Sequence, residues 1–329
     1  MAQEFKWGIL APGKIAGKFA EDLLQLAGHR IEAVGSRSME RATLFAQRFD
    51  IPKIYGSYEE LWHANDVDAI YIASPHSGHF EHTLRSLEAG IPVLCEKPLA
   101  INSQQVKTMI EASKKHQVFL MEALWTRFIP SVEQALEWIA SGKIGEVQGV
   151  KADFGFYPSN RDPEGRLYNP HLAGGALLDI GIYPIFLALL VMGKPSEIAA
   201  KGVIGNTGID EEVIITTRHE KNQYGQLHAT IRNDTKTEGF IYGSEGVIHL
   251  HTRWHETTSL AFLPHGGVPE IKYFDQMGWG YGWEAKEVEK CVREGALESS
   301  KWPLDQSLAL MEVMDEVRRQ IGLRYTGLE

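Results

Sequence analysis

The chain has 329 residues, of which 43% are hydrophobic, and it carries a formal net charge of −10 at pH 7. This length is sufficient for two domains with sizeable cores. The acidic balance argues against non-specific binding to nucleic acid, which requires a basic face, and we expect no nucleic-acid partner.

The two cysteines, Cys95 and Cys291, are too few for a disulfide framework or a zinc site built from cysteines. The first ten residues lack the basic start and long apolar segment of a signal peptide. The longest apolar run, around residues 180–192, is interrupted by Pro184 and is shorter than a bilayer span. We therefore expect a cytoplasmic protein that does not associate with a membrane.

The first predicted strand, residues 6–10, runs into a variant of the dinucleotide fingerprint G-x-G-x-x-G/A. Ala11 takes the place of the first glycine, whereas Gly13 keeps the second, which lets the backbone approach a pyrophosphate. The following helix, from Ile15 to about Gln25, would offer its N-terminal N–H groups to phosphates. We predict cofactor contacts from Ala11, Pro12, Gly13, Lys14 and Ile15.

The second predicted strand, about residues 30–36, ends in Ser36-Arg37-Ser38, with Arg41 one turn further on. An NAD-binding protein usually has Asp or Glu here, whereas a guanidinium with two hydroxyls suits a ribose 2′-phosphate. The residues therefore favour NADP over NAD and place Ser36, Arg37, Ser38 and Arg41 at the cofactor. The alternative is that Arg37 and Arg41 are solvated residues at the start of a helix.

Further strands at about 68–74, 93–98 and 118–122 alternate with helices at 39–49, 79–89 and from Asn102 or Ser103 to about 115. This alternation predicts a doubly wound parallel sheet, a Rossmann domain, over residues 1–122. Ligands bind at the carboxyl ends of such strands. We therefore predict cofactor contacts from Ser74, Pro75, His76, His79, Glu96 and Lys97, although capping or packing would account for His79 equally well.

After residue 122 the pattern changes. Helices are predicted at 130–141, 176–192, 283–293 and 304–321, and strands at 147–157, 197–203, 213–219, 226–232 and 238–250, the last with a turn at 243–246. Clustered alternating segments of this kind predict an α+β domain over residues 123–329 with a large, mostly antiparallel open sheet.

Four segments carry a resemblance to a known family: GILAPGKIA at 8–16, YIASPHSGH at 71–79, VLCEKPLA at 93–100 and GGALLDIGIYP at 174–184. Together they resemble the Gfo/Idh/MocA oxidoreductases over nearly the whole chain. MEALWTRFIP at 121–130 is most similar to the group of dimeric dihydrodiol dehydrogenases, also described as NADP-dependent D-xylose 1-dehydrogenases. The departures from the family pattern are Ala11 and Pro12.

The resemblance implies that Lys97, Asp179 and Tyr183 form the catalytic group. Asp179 and Tyr183 are four residues apart, so a helix would place them on one face. Tyrosine, with an ordinary pKa of about 10, is a poor base at neutral pH, and a nearby ammonium favours its phenolate. We assign Tyr183 as acid/base, Lys97 as electrostatic partner and Asp179 as orienting carboxylate. The roles of Lys97 and Tyr183 could be exchanged.

Aromatic and guanidinium side chains that suit a sugar or polyol ring cluster in two places. We predict substrate contacts from Trp125, Arg127, Phe128, Arg161, Tyr168 and His171, and Arg166 lies in the same loop as the last three. Packing between domains is the alternative for Trp125 and Phe128. Histidines at 76, 79 and 82 and at 249, 251 and 255 lack the spacing of zinc motifs, and we predict no metal site.

We therefore expect an NADP-dependent oxidoreductase that acts on a sugar, a polyol or a cyclic diol, with aldose C1 or trans-dihydrodiol oxidation as the leading reactions. The alternatives are an inositol or anhydro-sugar dehydrogenase that uses NAD, and a non-catalytic sensor of NAD(P) or sugar. The resemblance also implies a homo-oligomer, with a dimer through the exposed face of the second sheet favoured.

Overall fold

The computed structural model describes residues 4–329; residues 1–3, on which the expectation of no targeting segment partly rests, lie outside it. The strands, in chain order, are β1 Phe5–Leu10, β2 His29–Gly35, β3 Lys53–Tyr55, β4 Ala69–Ile72, β5 Val93–Glu96, β6 Leu120–Ala123, β7 Val147–Gly155, β8 Glu197–Ile204, β9 Asp210–Arg218, β10 Tyr224–Thr230, β11 Gly239–Gly243, β12 Gly246–Leu250, β13 Ser259–Pro264 and β14 Glu270–Tyr273. The α-helices are α1 Lys14–Leu23, α2 Met39–Phe49, α3 Tyr58–Ala64, α4 His76–Glu88, α5 Ser103–His116, α6 Pro130–Ala140, α7 Ile182–Met192, α8 Gly282–Arg293 and α9 Leu304–Ile321.

Two compact units share the chain. The first comprises the described residues up to Phe128 together with Gln276–Leu308, and the second comprises Ile129–Asp275 together with Ala309–Glu329. Each unit is therefore built from two separate stretches, whereas the predicted boundary at 122/123 divides the chain once.

The later stretch of the first unit is held by hydrogen bonds to the earlier one. Asp22, at the end of α1, accepts hydrogen bonds from the backbone N–H groups of Trp279 at 2.7 Å and Tyr281 at 2.8 Å. Beside β6, the backbone N–H of Leu120 donates to the carbonyl of Leu297 at 3.0 Å. Burial raises the pKa of Asp22, while these backbone bonds lower it.

The six strands of the first unit have the order β3-β2-β1-β4-β5-β6, and all neighbours are parallel. This confirms the predicted doubly wound sheet. The strand order reverses between β1 and β4, and ligands bind at such a switch point, beyond the carboxyl ends of the strands. The sequence analysis missed β3 and α3, because a three-residue, half-buried strand is too short to show a pattern.

The second unit contains an eight-stranded sheet with the order β14-β13-β12-β11-β7-β10-β9-β8. The β7–β10 pair is parallel and the other neighbours are antiparallel, which confirms the predicted mostly antiparallel sheet. The prediction ended this sheet at residue 250. It missed β13 and β14, and β14 is a short edge strand whose residues are largely exposed.

The stretch Pro170–Met192 includes the predicted apolar run at 180–192 and is long and apolar enough, by composition alone, to cross a membrane. An 18-residue window of this stretch has a mean hydropathy of 2.1, and 83% of that window is buried inside the structure. In the structure α7 packs on the sheet, as a core helix does. Pro184 does not end the helix: it is the third residue of α7, which continues to Met192.

Cys95 and Cys291 are both buried as free thiols. The cytoplasmic location stays a prediction.

Candidate functional site

The fingerprint turn lies between β1 and α1, at the switch point of the first sheet. Ala11 adopts a left-handed conformation with φ +66°, a conformation that glycine adopts without strain. Gly13 has an ordinary extended φ of −137°, and a Cβ added to it would meet nothing closer than the Ala11 carbonyl at 3.9 Å. The protein's own packing therefore does not require glycine at position 13, and the open side suits the approach of a pyrophosphate.

Gly13, the N-cap residue of α1, has no side chain that could cap the helix. The first N–H groups of a helix have no partner within the helix, and they attract anions such as phosphate. Lys14 and Ile15 lie in this first turn. The geometry of residues 11–15 thus fits a dinucleotide phosphate.

The end of β2 presents a compact polar turn. The Ser36 hydroxyl accepts a hydrogen bond from the Ser38 N–H at 3.2 Å, and the Ser38 hydroxyl caps α2 by accepting from the Arg41 N–H at 3.3 Å. Arg37 and Arg41 are exposed. The Arg37 guanidinium interacts with the hydroxyl of Tyr58. The pKa of Tyr58 is raised by burial, and Arg37 offsets part of that rise. Two guanidinium groups therefore flank the turn at which NADP would carry its additional phosphate.

The His79 ring makes contacts inside the first unit, and its predicted contact with the cofactor stays a prediction. Its ring is fully buried, with Nδ1 2.7 Å from the carbonyl of Pro98 and Nε2 2.8 Å from the carbonyl of Ser74. Burial lowers its pKa to about 4, although both carbonyl contacts raise it. His79 thus connects the segments that follow β4 and β5.

Two buried glutamates support the segment that carries Lys97. The Tyr71 hydroxyl donates to one oxygen of Glu96, and the Lys97 N–H donates to the other at 3.2 Å. The Leu99 N–H donates to Glu122 at 2.8 Å, and burial raises the pKa of this carboxyl. The half-buried Lys97 therefore lies on a backbone that is fixed on both sides, and its bond to Pro98 is cis.

In the second unit, Asp179 lies in a π-helical turn, Leu177–Gly181, and Tyr183 lies in the first turn of α7. The predicted α-helical spacing is therefore wrong for this pair. π-Helical turns often occur at functional sites. Arg166 donates to both oxygens of Asp179, at 2.6 and 3.3 Å, and the Asp179 side chain is 8% exposed.

Aromatic rings surround Tyr183. Its ring centroid lies 5.5 Å from that of Phe154, in β7, and 5.2 Å from that of His255, and the last two rings stack at 4.2 Å. Neither neighbour was identified from the sequence, in which Phe154 falls only within the predicted strand 147–157 and His255 belongs to a group of histidines without the spacing of a zinc motif. The strand alternation that includes Phe154 was the one available signal.

The loop before the π-helical turn is attached at two points. Besides the contact between Arg166 and Asp179, Arg161 donates to Tyr168 at 3.1 Å and to Glu211 at 2.6 Å. Tyr168 is buried, whereas Arg161 and His171 are exposed. The predicted substrate contacts of Arg161, Tyr168 and His171 stay predictions.

Trp125, Arg127 and Phe128 are buried, and they belong to the first unit. Trp125 stacks on Tyr281 with ring centroids 4.8 Å apart, and the Arg127 Nε donates to the carbonyl of Lys301 at 2.9 Å. Both contacts lie within the first unit, so they do not test the alternative of packing between domains. Their substrate role stays a prediction.

Among residues 4–329 no group of three or more His, Cys, Asp or Glu side chains could hold a metal ion. Lys97 belongs to the first unit, whereas Asp179 and Tyr183 belong to the second.

Comparison with known proteins identifies the family. Residues 5–124 match the family described as "Oxidoreductase family, NAD-binding Rossmann fold", and residues 132–249 match the "GFO/IDH/MocA C-terminal domain". The chain belongs to the GFO/IDH/MocA oxidoreductase family. This confirms the resemblance, and this oxidoreductase is accordingly a nicotinamide-dependent enzyme.

Relatives align with this oxidoreductase over nearly its full length. It is 37% identical to the trans-1,2-dihydrobenzene-1,2-diol dehydrogenase of Danio rerio, over 98% of each chain. It is 36% identical to the enzyme of that name from Homo sapiens, over 97% of this chain and 98% of the relative. The structure of a 3-ketoreductase from Actinomadura kijaniata in complex with NADP and TDP-benzene has a TM-score of 0.85 and 25% identity, over 97% of this chain and 98% of that chain.

Proposed function

We propose that this oxidoreductase uses NADP to oxidise a secondary hydroxyl of a trans-dihydrodiol or the C1 hydroxyl of an aldose, or to reduce the matching carbonyl. The observation that carries this proposal is the placement of Tyr183 among aromatic rings, a few residues from the Arg166-paired carboxylate of Asp179. Aromatic faces suit a cyclic diol or a sugar ring. The near full-length similarity to dihydrodiol dehydrogenases supports the diol class.

The residues near the carboxyl ends of the strands fit the dinucleotide. Residues 11–15 would hold the pyrophosphate through the open side of Gly13 and the uncapped start of α1. Ser36, Arg37, Ser38 and Arg41 would hold the 2′-phosphate, and Ser74, Pro75, His76, Glu96 and Lys97 would lie at the nicotinamide end. NADP, when bound, supplies the acceptor for the hydride.

The protein's own groups would handle the proton. Tyr183 takes the proton of the substrate hydroxyl during oxidation and returns it during reduction. The ammonium of Lys97 favours the phenolate form of Tyr183. Asp179, held by both N–H groups of the Arg166 fork, orients the reacting groups.

A titration followed by a turnover assay tests this function. NADPH and NADH are titrated by nicotinamide fluorescence, and trans-dihydrodiols, aldoses and inositols are then assayed with wild type and Tyr183→Phe. We expect tighter binding of NADPH and turnover of a dihydrodiol or an aldose. Because acid/base catalysis contributes about 100-fold or more, the variant should lose at least that in turnover while keeping its NADPH affinity.

Three results would contradict the proposal. Tight NADPH binding without turnover of any substrate would favour the sensor alternative. Preference for NADH with turnover of inositol would favour the NAD-dependent alternative. Full activity of Tyr183→Phe would remove Tyr183 from its assigned role.

We also propose a homodimer formed through the outer face of the eight-stranded sheet. Ile214, Tyr224 and Tyr242 are large side chains on β9, β10 and β11 that are 55%, 54% and 36% exposed. Exposed apolar surface of this kind marks interaction sites. Light scattering would show a dimer for wild type and a monomer for Ile214→Glu; a wild-type monomer would contradict the proposal.

A further inference from the structure

The turn that leads into the π-helical segment is held by two side chains remote from it in sequence. The Tyr325 hydroxyl donates to the carbonyl of Gly174 at 2.8 Å. The Leu177 N–H, the first of the π-helical turn, donates to Oδ2 of Asp210 at 2.6 Å. All four residues belong to the second unit, and both side chains are fully buried.

Asp210 fits tightly against the turn. Gly175 has a φ of +123°, which favours glycine, and a Cβ added there would lie 2.2 Å from Oδ1 of Asp210. Because any side chain at position 175 would collide with the carboxyl, the backbone and Asp210 fix each other's positions.

The buried carboxyl of Asp210 is short of partners. Within residues 4–329, Oδ1 makes no hydrogen bond. The nearby cation, Arg318, is itself paired with Asp315 at 2.6 Å and with Glu329, and its guanidinium lies over the ring of Tyr325. A carboxyl retained in such surroundings without a salt bridge needs a local reason, and its bond to Leu177 provides one.

We propose that Asp210 is a positioning residue that fixes the start of the π-helical turn and thereby the places of Asp179 and Tyr183. The inference rests on the proposed function, in which these two residues act on the substrate. Asp179 lies two residues after Leu177, whose N–H donates to Asp210. A shift of Leu177 therefore shifts the carboxylate of Asp179. A misplacement of about 1 Å at a reacting group can lower the rate by about 100-fold.

Burial and nearby charges decide whether Asp210 holds the turn as a neutral acid or as a carboxylate. Burial raises its pKa to about 7, while the backbone bond from Leu177 and the charge of Arg318 lower it. The titratable groups around it are Arg318 and Tyr325, with Glu329 beyond them. The neutral amide of an asparagine should be able to take the place of the carboxyl at this site, since an amide oxygen also accepts a hydrogen bond from the Leu177 N–H.

The experiment compares Asp210→Asn, which keeps the acceptor, with Asp210→Ala, which removes it. Val213→Ala, a truncation of another fully buried residue of β9, is the matched control for loss of packing. For each variant we measure kcat and KM for NADP-linked turnover, NADPH affinity, and hydrogen–deuterium exchange of the peptide that spans residues 174–186.

We expect Asp210→Ala to lose about 10- to 100-fold in kcat, with faster exchange in residues 174–186 and unchanged NADPH affinity. Asp210→Asn should stay within about threefold of wild type in kcat, and Val213→Ala should leave exchange in this peptide unchanged. Wild-type kcat and exchange in Asp210→Ala would overturn the proposal. An equal loss in Val213→Ala would also overturn it, because general destabilisation would then explain the effect.

The exchange measurement separates this inference from the proposed function. If wild type turns over no substrate, the proposed function fails, and exchange in residues 174–186 still decides whether Asp210 fixes the turn. If wild type is active and Asp210→Ala changes neither kcat nor exchange, the proposed function stands and the positioning role fails.

Discussion

Arg166 holds both carboxylate oxygens of Asp179, at 2.6 and 3.3 Å. From the sequence, Asp179 is predicted to be an orienting carboxylate, and Arg166 is placed only in the loop that carries the predicted substrate contacts. A fork-shaped guanidinium that grips a carboxylate fixes its plane as well as its position. The Arg166 side chain is 54% exposed, so water screens part of the attraction, and orientation is the larger part of its contribution.

Arg166→Gln should therefore lower kcat by about tenfold, because Asp179 loses its charged, two-point partner, while NADPH affinity stays unchanged. Steady-state kinetics with a saturating substrate checks this. The control is Arg218→Gln, another arginine of the second unit, which pairs with Glu197 on the surface. A wild-type kcat in Arg166→Gln would show that Asp179 does not depend on this partner.

The left-handed conformation of Ala11 predicts an unusual effect of a substitution to glycine. Ala11→Gly should raise the free energy of unfolding by up to about 1 kcal/mol, because glycine adopts a positive φ without strain. Ala20→Gly, in the interior of α1, should lower it by about 1 kcal/mol. Urea unfolding of the two variants measures both signs. If Ala11→Gly destabilises as much as Ala20→Gly, strain at Ala11 is not significant.

Arg37→Ala should weaken NADPH binding by about 10- to 100-fold, because a charged hydrogen bond to the 2′-phosphate is lost. NADH affinity should change little, since NADH lacks this phosphate. Fluorescence titration of both nucleotides gives the two constants. Arg48→Ala, in α2, which begins two residues after Arg37, is the control; Arg48 pairs with Glu21. Equal losses for NADPH and NADH would contradict the phosphate contact.

The buried Asp210 predicts how stability depends on pH. The folded protein keeps this proton up to about pH 7, whereas an unfolded chain releases it near the ordinary value of 3.8. Between these values the folded state binds more protons, so the contribution of Asp210 to the free energy of unfolding falls as the pH rises. The full difference is about 4 kcal/mol.

Asp210→Asn cannot titrate, so its stability relative to wild type should increase by about 2.5 kcal/mol between about pH 5 and about pH 8, which is the part of the full difference that falls in this range. Urea unfolding at about pH 5 and about pH 8 measures the change. A difference between variant and wild type that does not vary with pH would show that the folded and unfolded states release this proton together.

Much of the fold could be predicted from the sequence, because the parallel strands are continuous buried runs that alternate with amphipathic helices. The predicted helix at 39–49 and the predicted helix that starts at Asn102 or Ser103, which Asn102 caps in the structure, illustrate this, since both apolar spacing and capping chemistry are local. By contrast, the assignment of Gln276–Leu308 to the first unit depends on contacts such as the one between Asp22 and Tyr281. Such long-range contacts leave no periodic pattern.

The candidate site was predictable where a motif carries it and not where the three-dimensional structure assembles it. Lys97 and Gly13 follow from their segments. The π-helical turn at Asp179 has no periodicity of its own, and Phe154 reaches Tyr183 only because β7 packs against α7. In the sequence, Asp210 lies far from the turn that it holds, so only the fold reveals the link between them.

The division of the first unit has a consequence for biosynthesis. Trp302 donates a hydrogen bond to Glu122, and the ring of Tyr281 stacks on that of Trp125. Trp302 and Tyr281 both lie in Gln276–Leu308, which follows the strands of the second unit in the chain. A ribosome therefore releases the complete second sheet before it supplies the residues that finish the dinucleotide-binding unit. All six strands of the first sheet are synthesised before the second sheet, but they lack the later stretch of their own unit until Gln276–Leu308 has been made. A fragment that ends at Phe128 would therefore expose the indole of Trp125 to water.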